Sequence, residues 1–242
     1  MKFISYLLSP VFLVVFFLLL VIFHPLQWLS FNLFGFKGHK IVVDTLNWFL
    51  VKSLLILGVP VRFDNKQKFS KENNYIFVAN HQSLYDIPPL ILYLRKYSPK
   101  FVAKIELGKG IPSISYNLKH GGAALIDRKD PRQALSALAS FSKRINSNKW
   151  SAVIFPEGTR STSGKPKKFA TNGIKMIAKY NKDAYIVPIT INNSWKVYKY
   201  GKFPLGLGSP ITIKTHEPIA IASLPFEELM TKVETIITSH IK

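Results

Sequence analysis

The sequence predicts an α/β domain with a mainly parallel sheet flanked by helices, preceded by an apolar helical segment. From residue 74 onward, short apolar runs typical of buried strands alternate with longer stretches of helical periodicity. Residues 3–23 carry no charge over 21 positions. The composition combines 48% apolar residues with a formal net charge of +20. That combination excludes a disordered chain, because disordered chains are poor in apolar residues.

The uncharged run at residues 3–23 is long enough as a helix to cross ~30 Å of hydrocarbon. No cleavage site with small residues follows it, so we expect a retained membrane anchor and not a removable signal peptide. Two geometries stay open. The helix either spans the bilayer or, with a kink at Pro10, enters one leaflet only.

A second apolar stretch at residues 41–61 is interrupted by polar and charged residues, which makes a full span improbable. The pattern favours an amphipathic helix over about residues 41–59 that lies at the membrane interface, with Trp48 at headgroup depth. The alternative is a helix that packs on the globular domain. We therefore expect residues 1–60 to form a membrane-anchoring segment and residues 61–242 to form the globular domain.

The positive charge lies mostly in the globular part. The first 60 residues hold four lysines and one aspartate, a net of +3, which leaves +17 for the rest of the chain. A domain this basic, tethered to a bilayer, is expected on the cytoplasmic side, where the leaflet is anionic. The chain has no cysteine, which excludes disulfides, thiolate nucleophiles and cysteine zinc sites. The absence of cysteine and of a cleavage site fits a bacterial inner membrane.

The globular part divides into predicted strands and helices as follows. Apolar runs rich in β-branched and aromatic residues predict strands at residues 75–79, 100–103, 123–126, 152–155, 184–191 and 211–215. Helical periodicity, with a proline in the first turn of three of the four segments, predicts helices at residues 86–96, 131–145, 172–180 and 224–241. In such a domain, functional groups lie at the carboxyl ends of the strands.

The first segment that carries chemistry is Asn-His-Gln-Ser-Leu-Tyr-Asp at residues 80–86, directly after a predicted strand. Four residues separate His81 from Asp86, a spacing that can fold the carboxylate back onto the imidazole. Asp86 would then fix the tautomer, and His81 could take a proton from a hydroxyl. The alternative is a capping box from Ser83 to Asp86, with His81 as an ordinary loop histidine.

The second segment is Phe-Pro-Glu-Gly-Thr-Arg-Ser at residues 155–161, again directly after a predicted strand. Its proline and glycine shape a tight turn, Arg160 offers a planar fork for an anion, and exposed backbone N–H groups can bind a phosphate. The alternative is a surface turn with a salt-bridged Glu157. A P-loop is excluded, because five residues instead of four separate Gly158 from the following Gly-Lys, and a proline takes the place of the Ser or Thr.

Two further predicted strands end in a cation, Lys104 and Arg128. Together with His81 and Arg160, four successive strand ends then carry a candidate base and three cations. Strand ends converge in an α/β domain, so the sequence predicts a base that faces a cluster of cations. Such a site suits a hydroxyl-bearing acceptor that also carries a phosphate.

In these segments the chain resembles the lysophosphatidate acyltransferases (1-acylglycerol-3-phosphate O-acyltransferases) of the glycerolipid acyltransferase family. The resemblance rests on NHQSLYD, FVAKIEL, GAALIDR, FPEGTRS and IVPITI, which occur in the family's order between residues 75 and 191. It implies transfer of an acyl group from acyl-CoA or acyl-carrier protein to the sn-2 hydroxyl of the membrane lipid lysophosphatidate, giving phosphatidate in phospholipid biosynthesis.

The resemblance also implies roles for individual residues. His81 is the base that deprotonates the hydroxyl, and Asp86 is its orienting partner. The alkoxide attacks the thioester directly, so no cofactor and no metal is implied. Phosphate binding falls to the second segment and two cations: Glu157, Gly158, Thr159, Arg160, Arg128 and, assisting, Lys104. Pro188 shapes the acyl site, and Val187 and Ile189 form its apolar wall.

One segment departs from the family's pattern. Many relatives have Lys-Lys-Gly after the phenylalanine that follows the second motif, where this chain has Ala170-Thr171-Asn172. Other acceptors therefore stay open: glycerol-3-phosphate, a lysophospholipid or an amino-acid-containing lyso-lipid. A rival of another class is a non-catalytic binder of anionic lipid or nucleic acid, whose binding would fall steeply with salt. The ordered motifs favour the enzyme, with an anionic membrane surface and no nucleic acid as partner.

Overall fold

The computed structural model describes residues 2–242. Eight strands form one sheet: β1 (Val61–Asp64), β2 (Tyr75–Ala79), β3 (Pro99–Lys104), β4 (Ala124–Ile126), β5 (Ser151–Ile154), β6 (Tyr185–Asn192), β7 (Ile211–Thr215) and β8 (Ile219–Ala220). The α-helices are α1 (Lys2–Ser53), α2 (Ile87–Tyr93), α3 (Ile114–His120), α4 (Pro131–Ser147), α5 (Asn172–Lys179) and α6 (Phe226–Ser239).

The sheet is mainly parallel, as the sequence predicts. Its order is β1-β7-β6-β2-β5-β3-β4, with β8 added on β6. The pairs β1–β7, β6–β2, β2–β5, β5–β3 and β3–β4 are parallel, and only β6–β7 and β6–β8 run antiparallel. The four adjacent strands β2, β5, β3 and β4 therefore present their carboxyl ends along the same edge.

Helices cover both faces of the sheet, because alternate residues of each strand point to opposite sides. On one face, Phe77 of β2 packs in a cluster with Leu90 of α2 and Phe12 of α1. On the other face, Ile76 of β2 packs in a cluster with Val233 of α6 and with residues of α4 and α5. A strand buried on both sides explains the uninterrupted apolar run of β2.

The six predicted strands and four predicted helices are all present, with ends that shift by at most three residues. Three elements were not predicted: β1, α3 and β8. Each is short, and the strand β1 alternates half-buried and exposed residues at the edge of the sheet. Such segments carry too few apolar residues to give a periodicity signal of their own.

The N-terminal helix α1 is long and apolar enough to cross a membrane by length and composition. Its backbone stays helical through Pro10 and Pro25 and breaks at Gly35, which has φ +61° and ψ −151°. That conformation is available to glycine and strained for other residues. The break divides α1 into a first arm, residues 2–34, and a second arm, residues 36–53. The predicted helix at residues 3–23 thus continues as far as residue 34.

The first arm packs against the globular domain along one stripe and exposes apolar side chains elsewhere. Phe12 is fully buried and contacts Tyr85, with ring centroids 5.5 Å apart. The Ser9 hydroxyl accepts a hydrogen bond from the backbone N–H of Leu205 at 2.8 Å, and Ser113 donates to the Leu20 carbonyl at 2.7 Å. The exposed apolar residues of this arm include Phe3, Leu7, Val14, Phe17, Ile22 and Trp28.

The second arm, for which the sequence left two positions open, also packs on the globular domain. Leu46 and Leu50 are buried, while Trp48 and Phe49 stay exposed. Under this arm lies Lys100, whose Nζ is 4.5 Å from the Phe36 ring centroid and 4.7 Å from that of Trp150. A 3-10 turn at Leu54–Leu57 follows, and the predicted boundary at residue 60 falls between that turn and β1.

Candidate active site

The candidate site lies at the carboxyl edge of four adjacent parallel strands. His81 follows β2, Lys104 ends β3, Arg128 follows β4, and the segment 155–161 follows β5. The register pairs Lys104 with Ile126, so the end of β3 lies beside the residue two positions before Arg128. The topology thus brings the predicted base and the predicted cations to one edge.

His81 and Asp86 form the predicted pair. The Nδ1 atom of His81 lies 2.8 Å from Oδ2 of Asp86, and the Asp86 side chain is fully buried. The same Oδ2 accepts hydrogen bonds from the backbone N–H groups of Gln82 at 2.7 Å and Ser83 at 2.9 Å. A carboxylate in this position makes Nδ1 the protonated nitrogen and leaves Nε2 as the basic one.

The competing capping-box interpretation is also realised. The Ser83 hydroxyl accepts from the backbone N–H of Tyr85 at 3.0 Å, and the Asp86 carboxylate accepts from the backbone N–H of Ser83. One carboxylate therefore closes the box and orients the imidazole, so the two interpretations do not exclude each other. The cap fixes the turn that carries the histidine.

The segment after β5 contacts both the ring and the backbone of His81. The imidazole stacks on Phe155 with ring centroids 4.0 Å apart and planes inclined by 17°. The backbone N–H of His81 donates to Oε1 of Glu157 at 2.8 Å, and its carbonyl accepts from the N–H of Ser161 at 2.8 Å. The His81 side chain is 14% exposed, so the ring is held by these contacts and still reaches solvent.

Glu157 uses both carboxylate oxygens to bind the backbone of two loops. Its Oε1 is taken by His81, and its Oε2 accepts from the backbone N–H of Lys167 at 2.9 Å. Burial raises the pKa of Glu157, and the two backbone donors and nearby cations oppose that rise. Through these two hydrogen bonds Glu157 joins the loop of His81 to the loop of Lys167, and its part in phosphate binding stays a prediction. The alternative of a salt-bridged surface glutamate also differs from this arrangement.

The other predicted phosphate-binding residues line the open side of the edge. Gly158 has φ +68°, and Arg128 lies against it, with a guanidinium nitrogen 3.9 Å from where a Cβ on Gly158 would stand. Thr159 and Arg160 are exposed, and the Nζ of Lys167 donates to Oγ1 of Thr159 at 2.6 Å. Lys104 is exposed at the end of β3. These contacts bring Arg128 and the glycine turn together and leave the cationic groups accessible.

The predicted acyl-site residues lie in the sheet. Val187, Pro188 and Ile189 belong to β6 and pair in register with Phe77, Val78 and Ala79 of β2. Val187 and Ile189 are fully buried in the same cluster as Phe12. In this conformation they are core residues beneath the edge and offer no open wall, so their part in acyl binding stays a prediction.

Three neighbouring polar side chains were not predicted. Asn80 pairs with the backbone of Ile191 through both ends of its amide, at 2.8 Å and 2.7 Å. The Oε1 of Gln82 accepts from the N–H of Ser194 at 3.1 Å, and the hydroxyl of Ser194 donates to Oδ1 of Asp86. The available signal was positional, because Ser194 follows the carboxyl end of β6, which runs parallel to β2.

The chain is similar in sequence to known proteins. The family model described as Acyltransferase matches residues 60–192. The 1-acyl-sn-glycerol-3-phosphate acyltransferase of Helicobacter pylori is 37% identical over 126 residues, which is 51% of this chain and 50% of that protein. The protein of the same name from Saccharomyces cerevisiae is 28% identical over 203 residues, covering 80% of this chain and 62% of that one. The chain therefore spans about half to three fifths of these relatives.

A solved structure shares the whole fold. The crystal structure of the 1-acyl-sn-glycerophosphate (LPA) acyltransferase PlsC from Thermotoga maritima superposes with a TM-score of 0.81 at 24% identity. The superposition covers 99% of this chain and 95% of that one, so it includes α1 as well as the sheet. The matched residues 60–192 contain His81, Asp86 and the cationic edge, and the chain belongs to the acyltransferase family.

Proposed function

We propose that this protein transfers a fatty acyl group from an acyl thioester to the sn-2 hydroxyl of lysophosphatidate, giving phosphatidate. The observation that carries the proposal is the His81–Asp86 pair at a strand edge that also holds Arg128 and Arg160. The names of the relatives from Helicobacter pylori and Saccharomyces cerevisiae support the same reaction. The proposed role in phospholipid biosynthesis follows from the product.

In this mechanism Nε2 of His81 takes the proton of the acceptor hydroxyl as its oxygen attacks the thioester carbonyl. A C–O bond forms, the C–S bond breaks, and the proton passes from His81 to the departing thiolate. Asp86 stabilises the imidazolium that forms between these steps. A thioester is already activated toward attack, so the proposal includes no cofactor and no metal. Addition of EDTA should leave the rate unchanged.

The cations supply the recognition of the acceptor's phosphate. Arg128, Arg160 and Lys104 are exposed at the open edge, and Arg128 lies against the turn at Gly158. Loss of a charge-assisted hydrogen bond weakens binding by about tenfold to a hundredfold. We expect Arg128→Ala to raise the KM for lysophosphatidate by that factor. The control is Arg132→Ala, which removes an exposed arginine on α4. Equal KM values in the two variants would contradict this assignment.

The reaction is tested with detergent-purified protein and lysophosphatidate, with acyl-CoA and acyl-carrier protein offered separately. Wild type should form phosphatidate with at least one donor, and His81→Ala should lose about 10²–10⁴-fold in rate while remaining folded. The matched control is His120→Ala, because His120 is exposed and lies outside the edge. Full activity in His81→Ala would refute the assignment of the base.

An acceptor panel tests the alternatives. Glycerol-3-phosphate, a lysophospholipid and an amino-acid-containing lyso-lipid replace lysophosphatidate in the same assay. A preference for one of these acceptors would make the segment 170–172 the first place to test by mutation. This segment follows buried Phe169 and leads into α5, which begins at Asn172. Its Ala170 N–H donates to the Pro156 carbonyl at 2.9 Å. Salt-dependent lipid binding that is indifferent to His81→Ala, with no product, would favour the non-catalytic binder.

The proposed location is the inner membrane of a bacterium, with the globular domain on the cytoplasmic side against an anionic surface. The first arm of α1 is held to the domain at Ser9 and Leu20, so a crossing of the bilayer would draw polar domain surface in with it. An arm that enters one leaflet avoids that cost. Because the chain has no cysteine, Lys182→Cys gives a single labelling site. A membrane-impermeant thiol reagent should label it only after the inner membrane is opened.

A further inference from the structure

Asp86 is an unusually well-satisfied buried carboxylate. Its Oδ2 accepts from Nδ1 of His81 and from the backbone N–H groups of Gln82 and Ser83. Its Oδ1 accepts from the hydroxyl of Ser194, and within residues 2–242 no other donor reaches that oxygen. Asp86 and Ser194 are both fully buried, so water does not replace a lost donor there. Ser194 lies outside the matched motifs, which end with β6 at residue 192.

Ser194 is held in place by contacts that do not involve Asp86. Its backbone N–H donates to Oε1 of Gln82, so the segment after β6 is joined directly to the loop of His81. Three residues before Ser194, the bidentate pairing of Asn80 with Ile191 extends the contact of β2 with β6. The preceding Asn193 adopts φ +69° and anchors its amide on the Pro210 carbonyl at 3.1 Å. The hydroxyl therefore reaches Oδ1 from a fixed backbone.

We infer that Ser194 is a positioning residue for acyl transfer, acting on His81 through Asp86. Its hydroxyl fixes the rotation of the carboxylate about the Cβ–Cγ bond, so that Oδ2 stays in line with Nδ1 of His81. It also gives the otherwise unpaired buried oxygen a hydrogen-bond donor. The inference rests on the proposed function, because it gives His81 the task of a base.

The side chain at this position has narrow requirements. It must donate to an anion, and it must fit a site with no exposed surface, which serine does with a single hydroxyl. The 3-10 turn that begins at Ser194 continues to Tyr198, whose ring stacks on Tyr85 at 5.6 Å, next to Asp86. The segment after β6 thus covers the orienting carboxylate and excludes water from it.

The test compares Ser194→Ala with wild type in the acyl-transfer assay, using a radiolabelled donor so that slow turnover can be measured. We expect kcat to fall about tenfold to a hundredfold, as for loss of a hydrogen bond to a charged group, with KM for donor and acceptor within about twofold. Ser142→Ala is the matched control. Ser142 is fully buried and donates to the Ile177 carbonyl at 2.7 Å, away from the site, so its loss should not change kcat.

A double-mutant cycle separates positioning from general destabilisation. If Ser194 acts through Asp86, then Ser194→Ala should have almost no further effect in an Asp86→Asn background. Recovery of part of kcat in Ser194→Thr, which keeps the hydroxyl, would support the inference independently of the cycle.

Two results would overturn the inference: equal losses in both backgrounds, or a loss no larger than that of Ser142→Ala. An active wild type with unchanged Ser194→Ala overturns this inference alone, whereas an inactive wild type overturns the proposed function with it.

Discussion

Replacing Phe12 by alanine should destabilise the catalytic domain itself, although Phe12 belongs to the apolar N-terminal helix. Its side chain is fully buried and packs against Tyr85, at 5.5 Å between ring centroids, and against Phe16 at 5.6 Å. Truncation of a buried phenylalanine costs about 3–5 kcal/mol, through lost burial and the cavity left behind. In detergent the unfolded arm keeps contact with detergent tails, so the water-transfer part shrinks and about 3 kcal/mol remains.

The matched control is Phe17→Ala on the same helix. Phe17 is 57% exposed and faces away from the domain, so its loss should change the free energy of unfolding by less than about 0.5 kcal/mol. It should instead weaken binding to lipid vesicles, because Phe17 lies on the lipid-facing side. Chemical unfolding in micelles and vesicle flotation measure the two quantities. Equal stability of the two variants would refute the packing of the first arm on the domain.

Three other perturbations test the buried polar groups. Glu157→Gln should lower the free energy of unfolding by about 1–3 kcal/mol and slow acyl transfer, because the amide cannot accept from both backbone donors; unchanged unfolding and turnover would contradict this. Burial lowers the pKa of Lys100 from 10.5 to about 7. Between pH 7 and pH 10.5 the unfolded state therefore binds more protons than the folded state, so the free energy of unfolding should rise with pH by up to about 5 kcal/mol. Urea unfolding of Lys100→Met should lack that rise. Burial likewise lowers the pKa of His216 from 6.5 to about 4, so the free energy of unfolding should fall as the pH drops from 6.5 to 4. His216→Gln should reduce this fall by about 3 kcal/mol. Identical pH profiles of the free energy of unfolding in wild type and His216→Gln would contradict this prediction.

The sheet and the contact between His81 and Asp86 could be predicted because their signals are local. Apolar runs mark β2 and β5, and the polar residues that follow them are placed at one edge by the rule for parallel strands. The pair of His81 with Asp86 needs only a turn of a few residues. The capping box, which competed with that pair in the sequence, uses the same carboxylate, so a choice between them was unnecessary.

Contacts between distant parts of the chain could not be predicted in the same way. Ser194 binds Asp86 from 108 positions along the chain, and Phe12 contacts Tyr85 from near the N-terminus of the chain. The run at residues 3–23 is apolar on all sides, so its sequence does not distinguish the stripe on the domain from the side that faces lipid. The two hydrogen bonds of Glu157 could not be predicted for a related reason. Its partners are backbone N–H groups, which leave no trace in the pattern of side chains.

The packing of the first arm on the domain has a consequence for the synthesis and folding of the protein. Residues 2–34 leave the ribosome well before the strands that they touch, and at the proposed membrane location this apolar helix enters the bilayer while synthesis continues. The last layer of the domain's interior is then already embedded when β2, β6 and α2 assemble. Maturation of the domain is therefore completed on the membrane surface, with the embedded helix as the template, and chains released into the cytosol would lack part of their interior.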